Sequence, residues 1–172
     1  TGARAKVANY AGVTVERRSG TLEGLGHAAE LIDLPGTYSL FVTSPDEQVA
    51  RDVILGSMTG EAIPDVLIAV VDATNLRLGL RLVMELQTLQ RPMILALNQA
   101  DAARQRGIRI DCEGLSKALH MPVVETIAVH RHGVDALRKE MAKLNSPANL
   151  QPIAPESLTR SESIESVYAR IE

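Results

Sequence analysis

The sequence predicts an α/β fold: a mostly parallel sheet with helices on both faces and one antiparallel pair of strands at its edge. A strand pair and a helix are followed by three strand–helix units, an alternation typical of a largely parallel sheet with right-handed crossovers. Residues 65–72 form a nearly continuous aliphatic and β-branched run, which predicts a strand buried on both faces. The 172 residues, 45% of them hydrophobic and 23% charged, suffice for one domain with a sizeable core.

Composition excludes several classes of function. The net charge of −3 gives no basic surface for a nucleic acid, and an aromatic content of 2% argues against base-stacking platforms. The single cysteine, Cys112, excludes an internal disulfide framework. The four histidines show no metal-ligand spacing, and no signal peptide or apolar run of about 18 residues is present. We therefore expect a soluble chain in a reducing compartment.

The first third predicts a loop, two strands and a second loop. Residues 1–11 have no periodic pattern and predict a loop. Residues 13–25 alternate and predict a strand, joined by a turn at 24–26 to a second strand over 27–33. Residues 37–43 predict a loop.

A helix start follows at Ser44. Ser44 is suited to the N-cap, Pro45 to the first helical position, and Asp46 and Glu47 to the first turn. The helix is expected to end near Leu55.

The remaining elements are predicted from the periodicity of the hydrophobic residues and from the glycines and prolines that interrupt it. We predict further strands over 65–72, 92–98 and 122–126, helices over 74–90, 112–119 and 134–144, and loops over 56–64 and 101–109. Residues 145–155 contain three prolines and predict a linker, and 161–171 predict a last helical segment.

The end of the strand over 92–98 carries a candidate base-reading pair. Ligands of α/β sheets bind beyond the carboxyl ends of strands, where Asn98 and Asp101 fall. The Asp101 carboxylate can accept two parallel hydrogen bonds from the ring N–H and the exocyclic amine of guanine, whereas adenine presents a bare ring nitrogen there. An unpaired buried acceptor costs about 1–3 kcal/mol, so one carboxylate can discriminate between the two bases. In isolation, the pattern also fits a simple loop cap.

Two further stretches are candidates for phosphate and metal contacts. Asp33 can hold a metal ion through water, and the backbone N–H of Gly36 can approach a phosphate oxygen without a side chain in the way. The alternative is an ordinary Pro–Gly turn. The Thr14 hydroxyl can ligate Mg²⁺ while its N–H meets a γ-phosphate; the alternative is a β-branched residue entering a strand.

The loop after the strand over 122–126 is a weaker candidate. There a backbone N–H, about at Ala128, can meet the guanine carbonyl oxygen. Small residues are common in such loops.

Taken together, these motifs occur in one order on strand ends that share one rim of the sheet. The order resembles the second to fifth motifs of the GTPase family of G domains. The sequence resembles more narrowly the cytoplasmic G domain of the bacterial ferrous iron transport protein B (FeoB) family, over about residues 1–145. The stretches that carry this resemblance are residues 7–16, 33–40, 44–48, 71–75 and 96–101.

The resemblance implies a P-loop GTPase-like fold and a role for each motif. Thr14 is implied to complete the Mg²⁺ shell, with Asp33 reaching the metal through water. The implied guanine-nucleotide-binding residues are Gly12, Val13, Thr14, Val15, Glu16, Asp33, Leu34, Pro35, Gly36, Asn98, Gln99, Asp101, Thr126, Ile127 and Ala128.

Two positions depart from the common pattern. Gln99 stands where many GTPases have a lysine packed over the base, so binding is expected to be somewhat weaker. Thr37 follows Gly36 where Ras-like GTPases place a water-orienting glutamine, so GTP hydrolysis is expected to be slow. No residue is assigned a certain catalytic role.

The sequence contains no Gly-x-x-x-x-Gly-Lys-Ser/Thr motif. The resemblance implies a phosphate loop shortly before Thr1. It also implies a strand between the strands that end at Asp33 and Asp72. The expected organisation is a G domain over 1–145, a Pro-rich linker over 146–156, and the start of a helical coupling segment over 157–172.

The resemblance implies a GTP-binding, slowly hydrolysing regulatory domain at the cytoplasmic face of a bacterial inner membrane. GTP or GDP with Mg²⁺ is the implied ligand, and the transmembrane iron(II) permease region of the same polypeptide is the implied partner. A homo-oligomer is left open, and nucleic acid is not expected. The alternatives are a soluble ribosome- or RNA-associated GTPase, and a non-catalytic α/β binding module whose Asp33 and Asp101 only cap loops.

Overall fold

The structure, a computed structural model, describes residues 6–25, 28–41, 44–144 and 150–158. The strands are β1 (Lys6–Asn9), β2 (Glu16–Leu22), β3 (Ala29–Asp33), β4 (Leu67–Asp72), β5 (Met93–Asn98) and β6 (Val123–Glu125). The helices are α1 (Pro45–Leu55), α2 (Leu76–Gln87), α3 (Ala100–Gln105), α4 (Cys112–Leu119) and α5 (Val134–Lys143), and 3-10 turns lie at Ala73–Asn75, Ala128–His130 and Pro155–Ser157. The predicted α/β class is confirmed.

The antiparallel part has three strands in the order β1-β2-β3, so it is larger than the predicted pair. In β2 and β3, Arg18 lies opposite Asp33 and Leu22 lies opposite Ala29. The predicted loop over 1–11 is wrong where β1 pairs with β2. All four β1 residues are exposed, so the strand depends on backbone pairing rather than on a hydrophobic pattern.

The strand β2 begins at Glu16 rather than at residue 13 because the chain first makes a turn. Gly12 adopts a φ of 79°. The N–H of Val13 donates to the Tyr10 carbonyl at 3.3 Å, and the N–H of Tyr10 donates to the Val15 carbonyl at 3.1 Å. The turn at 24–26 has a left-handed Gly24, and residues 26 and 27 lie outside the described part.

The parallel part has the order β4-β5-β6. Asp72 at the end of β4 lies beside Asn98 at the end of β5. Every residue of β5 from Met93 to Leu97 is buried, so this strand is covered on both faces. The three strands therefore end at a common rim, which confirms this part of the prediction. The strand that ends at Asp33 was expected on the same rim but belongs to the antiparallel sheet.

The two sheets are not joined by strand pairing within the described residues. A direct pairing of β3 with β4 would have contradicted the intervening strand that the resemblance implies, and this pairing is absent there. In β4, Val70 is 68% exposed although it lies mid-strand.

Local signals define α1, whose predicted bounds are confirmed. The Ser44 hydroxyl accepts from the Glu47 N–H, the Glu47 side chain accepts from the Ser44 N–H, and Pro45 opens the helix. Gly56 ends it in the left-handed conformation with a φ of 81°. The buried residues of α1 are Val49, Ala50, Val53, Ile54 and Leu55.

The predicted helix over 74–90 is shorter in the structure. The Asp72 carboxylate accepts the Thr74 N–H at 2.7 Å and starts a 3-10 turn, after which α2 begins at Leu76. An added Cβ at Gly79 overlaps the Val71 side chain, so a glycine lets α2 lie close against β4.

The predicted loop over 101–109 is wrong in its first half, which forms α3. Its buried residues are Ala100 and Ala103, whose spacing is helical but too brief to stand out in a sequence. The predicted α4 is confirmed, and α5 ends one residue earlier than expected.

Part of the predicted linker packs on the core. Ile153 of the predicted linker contacts the main hydrophobic cluster, as does Leu158 at the start of the predicted coupling segment. The Ile153 N–H donates to the Leu55 carbonyl at 2.9 Å. Residues 145–149 and the predicted helical segment over 161–171 lie outside the described residues. Among those described, no helix is both long and apolar enough to span a membrane.

Candidate functional site

Two loops at the rim of the parallel sheet are joined through the side chain of Asn98. Its Oδ1 accepts the Ala128 N–H at 3.1 Å and the Thr126 hydroxyl at 3.3 Å. Backbone bonds add to the link, because the Thr126 N–H donates to Leu97 at 2.8 Å and the Ala100 N–H to Thr126 at 3.5 Å. The sequence-predicted residues Asn98, Thr126 and Ala128 are therefore brought together.

The orientation of the Asn98 amide follows from its partner. A backbone N–H can only donate, so the Asn98 atom that faces Ala128 must be the oxygen. This leaves the Nδ2 group as a donor that no hydrogen bond of the described residues occupies. Asn98 can thus brace the loop and donate to a ligand at the same time.

The loop after β6 leaves the backbone N–H of the exposed Val129 unused. The Ile127 N–H donates to His132, the Ala128 N–H to Asn98, the His130 N–H to Ile127 and the Arg131 N–H to Ala128. The Val129 N–H has no acceptor within the described residues. The sequence interpretation placed a ligand-binding N–H about at Ala128, but in the structure that group is engaged by Asn98.

Asp101 and Gln99 lie on either side of the start of α3. Gln99 adopts the left-handed conformation with a φ of 60°, a strained state for a residue other than glycine. The Asp101 carboxylate is half-buried in the first turn and has no hydrogen bond or ion pair within the described residues. The Asp101 carboxylate, three residues after Asn98, can therefore accept hydrogen bonds from a ligand.

Close packing fixes the loop after β6 from behind. Ile127 and His132 form an antiparallel bridge, with the Ile127 N–H donating to His132 at 3.1 Å. Gly133 has a φ of 83°, and an added Cβ there overlaps the Glu125 carbonyl. Only glycine satisfies both conditions.

The Glu125 side chain supports α3 and α4 next to this loop. One carboxylate oxygen pairs with Arg104 of α3, and the other accepts the Cys112 thiol of α4 at 3.5 Å. Burial, followed by the charge of Glu125, raises the pKa of Cys112 to about 11. The thiol is therefore a neutral packing group at physiological pH. A cavity of about 420 Å³ lies under α3 and is lined in part by Arg104 and Glu125.

The candidate phosphate and metal residues are open to solvent. Thr14, Asp33 and Gly36 are all exposed, and a Cβ added at Gly36 meets nothing within 4 Å. No hydrogen bond joins Thr14 to Asp33 in the described residues. The neighbouring Arg18 guanidinium is paired with Glu16 at 2.7 Å rather than with Asp33.

The donor set is of the kind that Mg²⁺ takes. Hydroxyl and carboxylate oxygens are hard ligands, and Mg²⁺ usually keeps several waters besides one or two protein oxygens and the phosphates of a substrate. Thr14 and Asp33 supply those two oxygen types. Within the described residues, no group of three or more His, Cys, Asp or Glu side chains is arranged to hold a metal ion by itself.

Tyr10 anchors the turn that carries Gly12 to Glu16, a role the sequence analysis missed. Tyr10 is 1% exposed and packs against Val49 and Val53 of α1. Val15 and Leu34 flank this cluster. The Tyr10 hydroxyl is buried without a hydrogen-bond partner, and burial followed by the charge of Glu61 raises its pKa. A lone tyrosine within a polar stretch was the only sequence signal.

An ion pair ties the same region to the loop after α1. The Arg17 guanidinium lies 2.6 Å from Glu61 and 3.1 Å from Glu30. It also donates to the Ser19 hydroxyl at 2.7 Å. The hydrogen bond that Arg17 donates to Glu61 raises the pKa of Arg17 above its usual value. The turn over 10–15 is thus held at both ends.

The chain matches a known family over most of its length. A family model described as ferrous iron transport protein B matches residues 1–141. The Fe(2+) transporter FeoB of Salmonella typhimurium (strain LT2) is 44% identical over 155 residues, or 88% of this chain. The Fe(2+) transporter FeoB of Escherichia coli (strain K12) is 42% identical over the same length. The chain spans 19% of the length of each of these relatives.

Solved FeoB structures share the fold. The cytosolic domain of L. pneumophila FeoB has a TM-score of 0.74 at 38% identity, over 82% of this chain and 58% of that one. The cytosolic domain of T. maritima FeoB in a GMPPNP form has a TM-score of 0.75 at 38% identity, over 87% and 59%.

The isolated G domain of T. maritima FeoB bears most directly on the extent of the match. It has a TM-score of 0.73 at 39% identity, and the match covers 83% of this chain and 84% of that one. The family model, the sequence relatives and the shared G-domain fold agree: the chain belongs to the ferrous iron transport protein B (FeoB) family.

Proposed function

We propose that the chain binds GTP and GDP and hydrolyses GTP slowly, as the regulatory G domain of a bacterial iron(II) transporter. The observation that carries this proposal is the link from Asn98 to Ala128 and Thr126, which joins the two base-reading loops beside the unpaired Asp101 carboxylate. T. maritima FeoB cytosolic domains in GDP and GMPPNP forms are related to this chain at 38–39% identity and support the same ligand class.

The base is recognised from three sides. The Asp101 carboxylate accepts from the ring N–H and exocyclic amine of guanine, and the Nδ2 group of Asn98 donates to another edge of the base. The Val129 N–H, left without an acceptor in its loop, donates to the guanine carbonyl oxygen. Thr126 and Ile127 hold this loop, and Gln99 borders the base without the charge that a lysine would bring.

The phosphate end is recognised by the exposed turn and loop on the antiparallel side. The Gly36 N–H meets the terminal phosphate, and Gly12, Val13, Val15 and Glu16 form the turn that presents Thr14. The Thr14 hydroxyl would ligate Mg²⁺, and Asp33 would hold the ion through water. When bound, the ion neutralises charge on the phosphates. Leu34 and Pro35 connect Asp33 to Gly36 and are half-buried.

Slow hydrolysis follows from the side chain next to Gly36. The Thr37 hydroxyl donates to the Ser39 carbonyl at 2.7 Å, so it is committed to its own loop. Its oxygen also accepts the Ser39 N–H at 3.4 Å, so the hydroxyl is engaged with Ser39 rather than with an attacking water molecule. The domain is then suited to switching, because the loops stay ordered while GTP is bound and relax after its hydrolysis.

The setting proposed for the domain is the cytoplasmic face of the bacterial inner membrane, with the iron(II) permease region of the same polypeptide as its partner. The names of the curated relatives, which are Fe(2+) transporters much longer than this chain, support this setting. The alternative of an RNA-associated GTPase has no basic surface to support it at a net charge of −3.

Nucleotide titration tests the proposal. Because the sequence has no Gly-x-x-x-x-Gly-Lys-Ser/Thr motif, the titration uses these 172 residues joined after the phosphate-loop segment of a FeoB relative, below called the complemented chain. Fluorescent GDP and GMPPNP should bind, and the corresponding adenine nucleotides should bind more weakly by about 10-fold or more. Equal binding of guanine and adenine nucleotides, or binding of neither, would contradict the proposed function.

A further inference from the structure

A buried carboxylate on helix α2 accepts hydrogen bonds from the chain just after the loop over 34–38, which carries Gly36. Glu85 is 5% exposed, and its Oε2 accepts the Leu40 N–H at 2.6 Å and the Ser39 hydroxyl at 2.8 Å. Its other oxygen lies 3.1 Å from the same hydroxyl and 3.5 Å from the Arg81 guanidinium. A single side chain therefore fixes two consecutive residues of a segment that is neither helix nor strand.

The hydrogen bonds from Ser39 and Leu40 to Glu85 are stabilising because Glu85 and Leu40 would otherwise be buried without these partners. A buried carboxylate is stable only when donors surround it, and Glu85 finds two of its three partners in this segment. Leu40 is 1% exposed in the main core, so its N–H cannot turn to water when the contact is lost. The Ser39 hydroxyl accepts the Phe41 N–H at 3.0 Å, which extends the network by one residue.

The loop is also fixed at its other end. Asp33 closes β3 opposite Arg18, and the described residues from 34 to 41 form neither helix nor strand. Only residues 34–38 lie between this strand end and the Ser39–Glu85 contact. Tyr38 within that interval is 63% exposed. A ligand that approaches Gly36 therefore meets a short span held between two fixed points.

We propose that Glu85 is a positioning residue for recognition of the terminal phosphate of GTP. By holding Ser39 and Leu40 it restricts the loop over 34–38 to conformations in which the Gly36 N–H faces the phosphate. This inference rests on the proposed function and deepens it, because Glu85 itself touches no ligand. Loss of the hydrogen bonds to Glu85 lowers the affinity only for a nucleotide that has the third phosphate.

The test compares two nucleotides in the complemented chain. Dissociation constants for fluorescent GDP and GMPPNP are measured for the parent, Glu85→Ala, Glu85→Gln and Ser39→Ala. Glu85→Ala should weaken GMPPNP by about 10-fold or more and leave GDP within about twofold, as expected for loss of hydrogen bonds to a charged group. Glu85→Gln should recover most of the loss, because an amide oxygen still accepts the Leu40 N–H.

Two controls separate the effect of the Glu85 hydrogen bonds from the effect of removing any charged side chain from a helix. Arg81→Ala removes the half-exposed guanidinium at 3.5 Å but keeps the hydrogen bonds from Ser39 and Leu40, so it should change neither affinity. Glu113→Ala removes an exposed helical carboxylate paired with Lys117 and should also be neutral. If Glu85→Ala does not fold, Ser39→Ala tests the same contact by removing one donor, with a smaller loss for GMPPNP alone.

The outcomes distinguish this inference from the proposed function. A parent that binds neither nucleotide overturns the proposed function and the inference with it. A parent that binds both, while Glu85→Ala weakens GDP and GMPPNP equally, overturns the inference alone because the residue is then only structural. Unchanged affinities in a folded Glu85→Ala protein overturn it as well.

Discussion

The side-chain oxygen of Asn98 lies 3.1 Å from the backbone nitrogen of Ala128, thirty residues further along the chain. Removing the side chain in Asn98→Ala breaks this bond and the one from Thr126. Because water can reach the Ala128 N–H, we expect the free energy of unfolding to fall by only about 1 kcal/mol in urea denaturation. Guanine-nucleotide affinity of the complemented chain should fall further, by about 10-fold or more. Gln105→Ala, at an exposed position of α3, serves as the control, and an equal effect there would argue against a role for Asn98.

Asp101→Asn should exchange the base preference. An amide donates where the carboxylate accepted, which suits a base with a carbonyl in place of the guanine amine. We expect GDP affinity of the complemented chain to fall by about 10- to 100-fold and xanthosine diphosphate affinity to rise. Calorimetric titration with both nucleotides measures this, with Asp135→Asn as a matched loss of one carboxylate. GDP binding equal to that of the parent would remove Asp101 from the base pocket.

Thr14→Ala should act only on the triphosphate state. Thr14 is exposed in its turn, and in the proposed function its hydroxyl meets the metal only when the terminal phosphate is present. We expect GDP affinity to stay nearly constant while GTP turnover at saturating Mg²⁺ falls by about 10-fold, the effect of about 1.4 kcal/mol. Phosphate release measures turnover, and Thr21→Ala removes an exposed threonine of β2 for comparison. A variant that hydrolyses GTP as fast as the parent would assign Thr14 to the strand entry alone.

Arg91→Met should release residues 150–158 from the core. The Arg91 guanidinium is 7% exposed and donates to the carbonyls of Ile54 at 2.5 Å, Leu55 at 3.2 Å and Gln151 at 3.4 Å. Burial lowers the pKa of Arg91. The guanidinium nevertheless binds the last carbonyls of α1, a helix end that has no basic residue of its own.

We expect faster amide exchange at Ile153 and a free energy of unfolding lower by about 1–3 kcal/mol in Arg91→Met. Hydrogen exchange and urea denaturation measure the two effects. Arg106→Met, at an exposed position, should do neither. Unchanged exchange at Ile153 in the Arg91 variant would show that the segment holds without the guanidinium.

Cys112 should react slowly and only at high pH. With a pKa of about 11, its thiolate fraction at pH 8 is about 100-fold smaller than that of a thiol with a pKa of 9. Iodoacetamide labelling should therefore rise steadily with pH up to about 11. Since the chain has one cysteine, mass spectrometry of the whole protein reports this site alone. A rate that levels off near pH 9 would contradict the raised pKa.

The same shift fixes the sign of a stability effect. The folded state holds the Cys112 proton more tightly than the unfolded state, so the contribution to stability is complete below the unfolded pKa. It is lost as pH rises from about 9 to about 11. Urea denaturation across this range should show a decrease that Cys112→Ala reduces.

The elements predicted well are those with local signals. The bounds of α1 follow from Ser44, Pro45 and Glu47, which act within one turn of the helix. By contrast, β1 exists because it pairs with β2, and α3 depends on two alanines that meet the core. Neither has a pattern that stands out from a loop, because the stabilising contacts come from the tertiary structure.

The candidate site divides in the same way. The order of the motifs placed Asn98 and Ala128 on neighbouring loops, and the structure joins them. The sequence did not reveal that Asn98 accepts the Ala128 N–H, or that the Val129 N–H has no acceptor among the described residues. Nor did it single out Glu85, because its bonds to Ser39 and Leu40 join residues far apart in sequence.

The attachment of Ile153 and Arg91 to the end of α1 has a consequence for the order of folding. A chain made from its N-terminus produces α1, Arg91 and β5 well before residues 150–158. The Leu55 carbonyl therefore lacks its hydrogen bond from the Ile153 N–H in the interval. Closing so long a loop carries an entropic cost that grows only slowly with its length. The segment therefore docks late, onto a core whose other elements have already been synthesised.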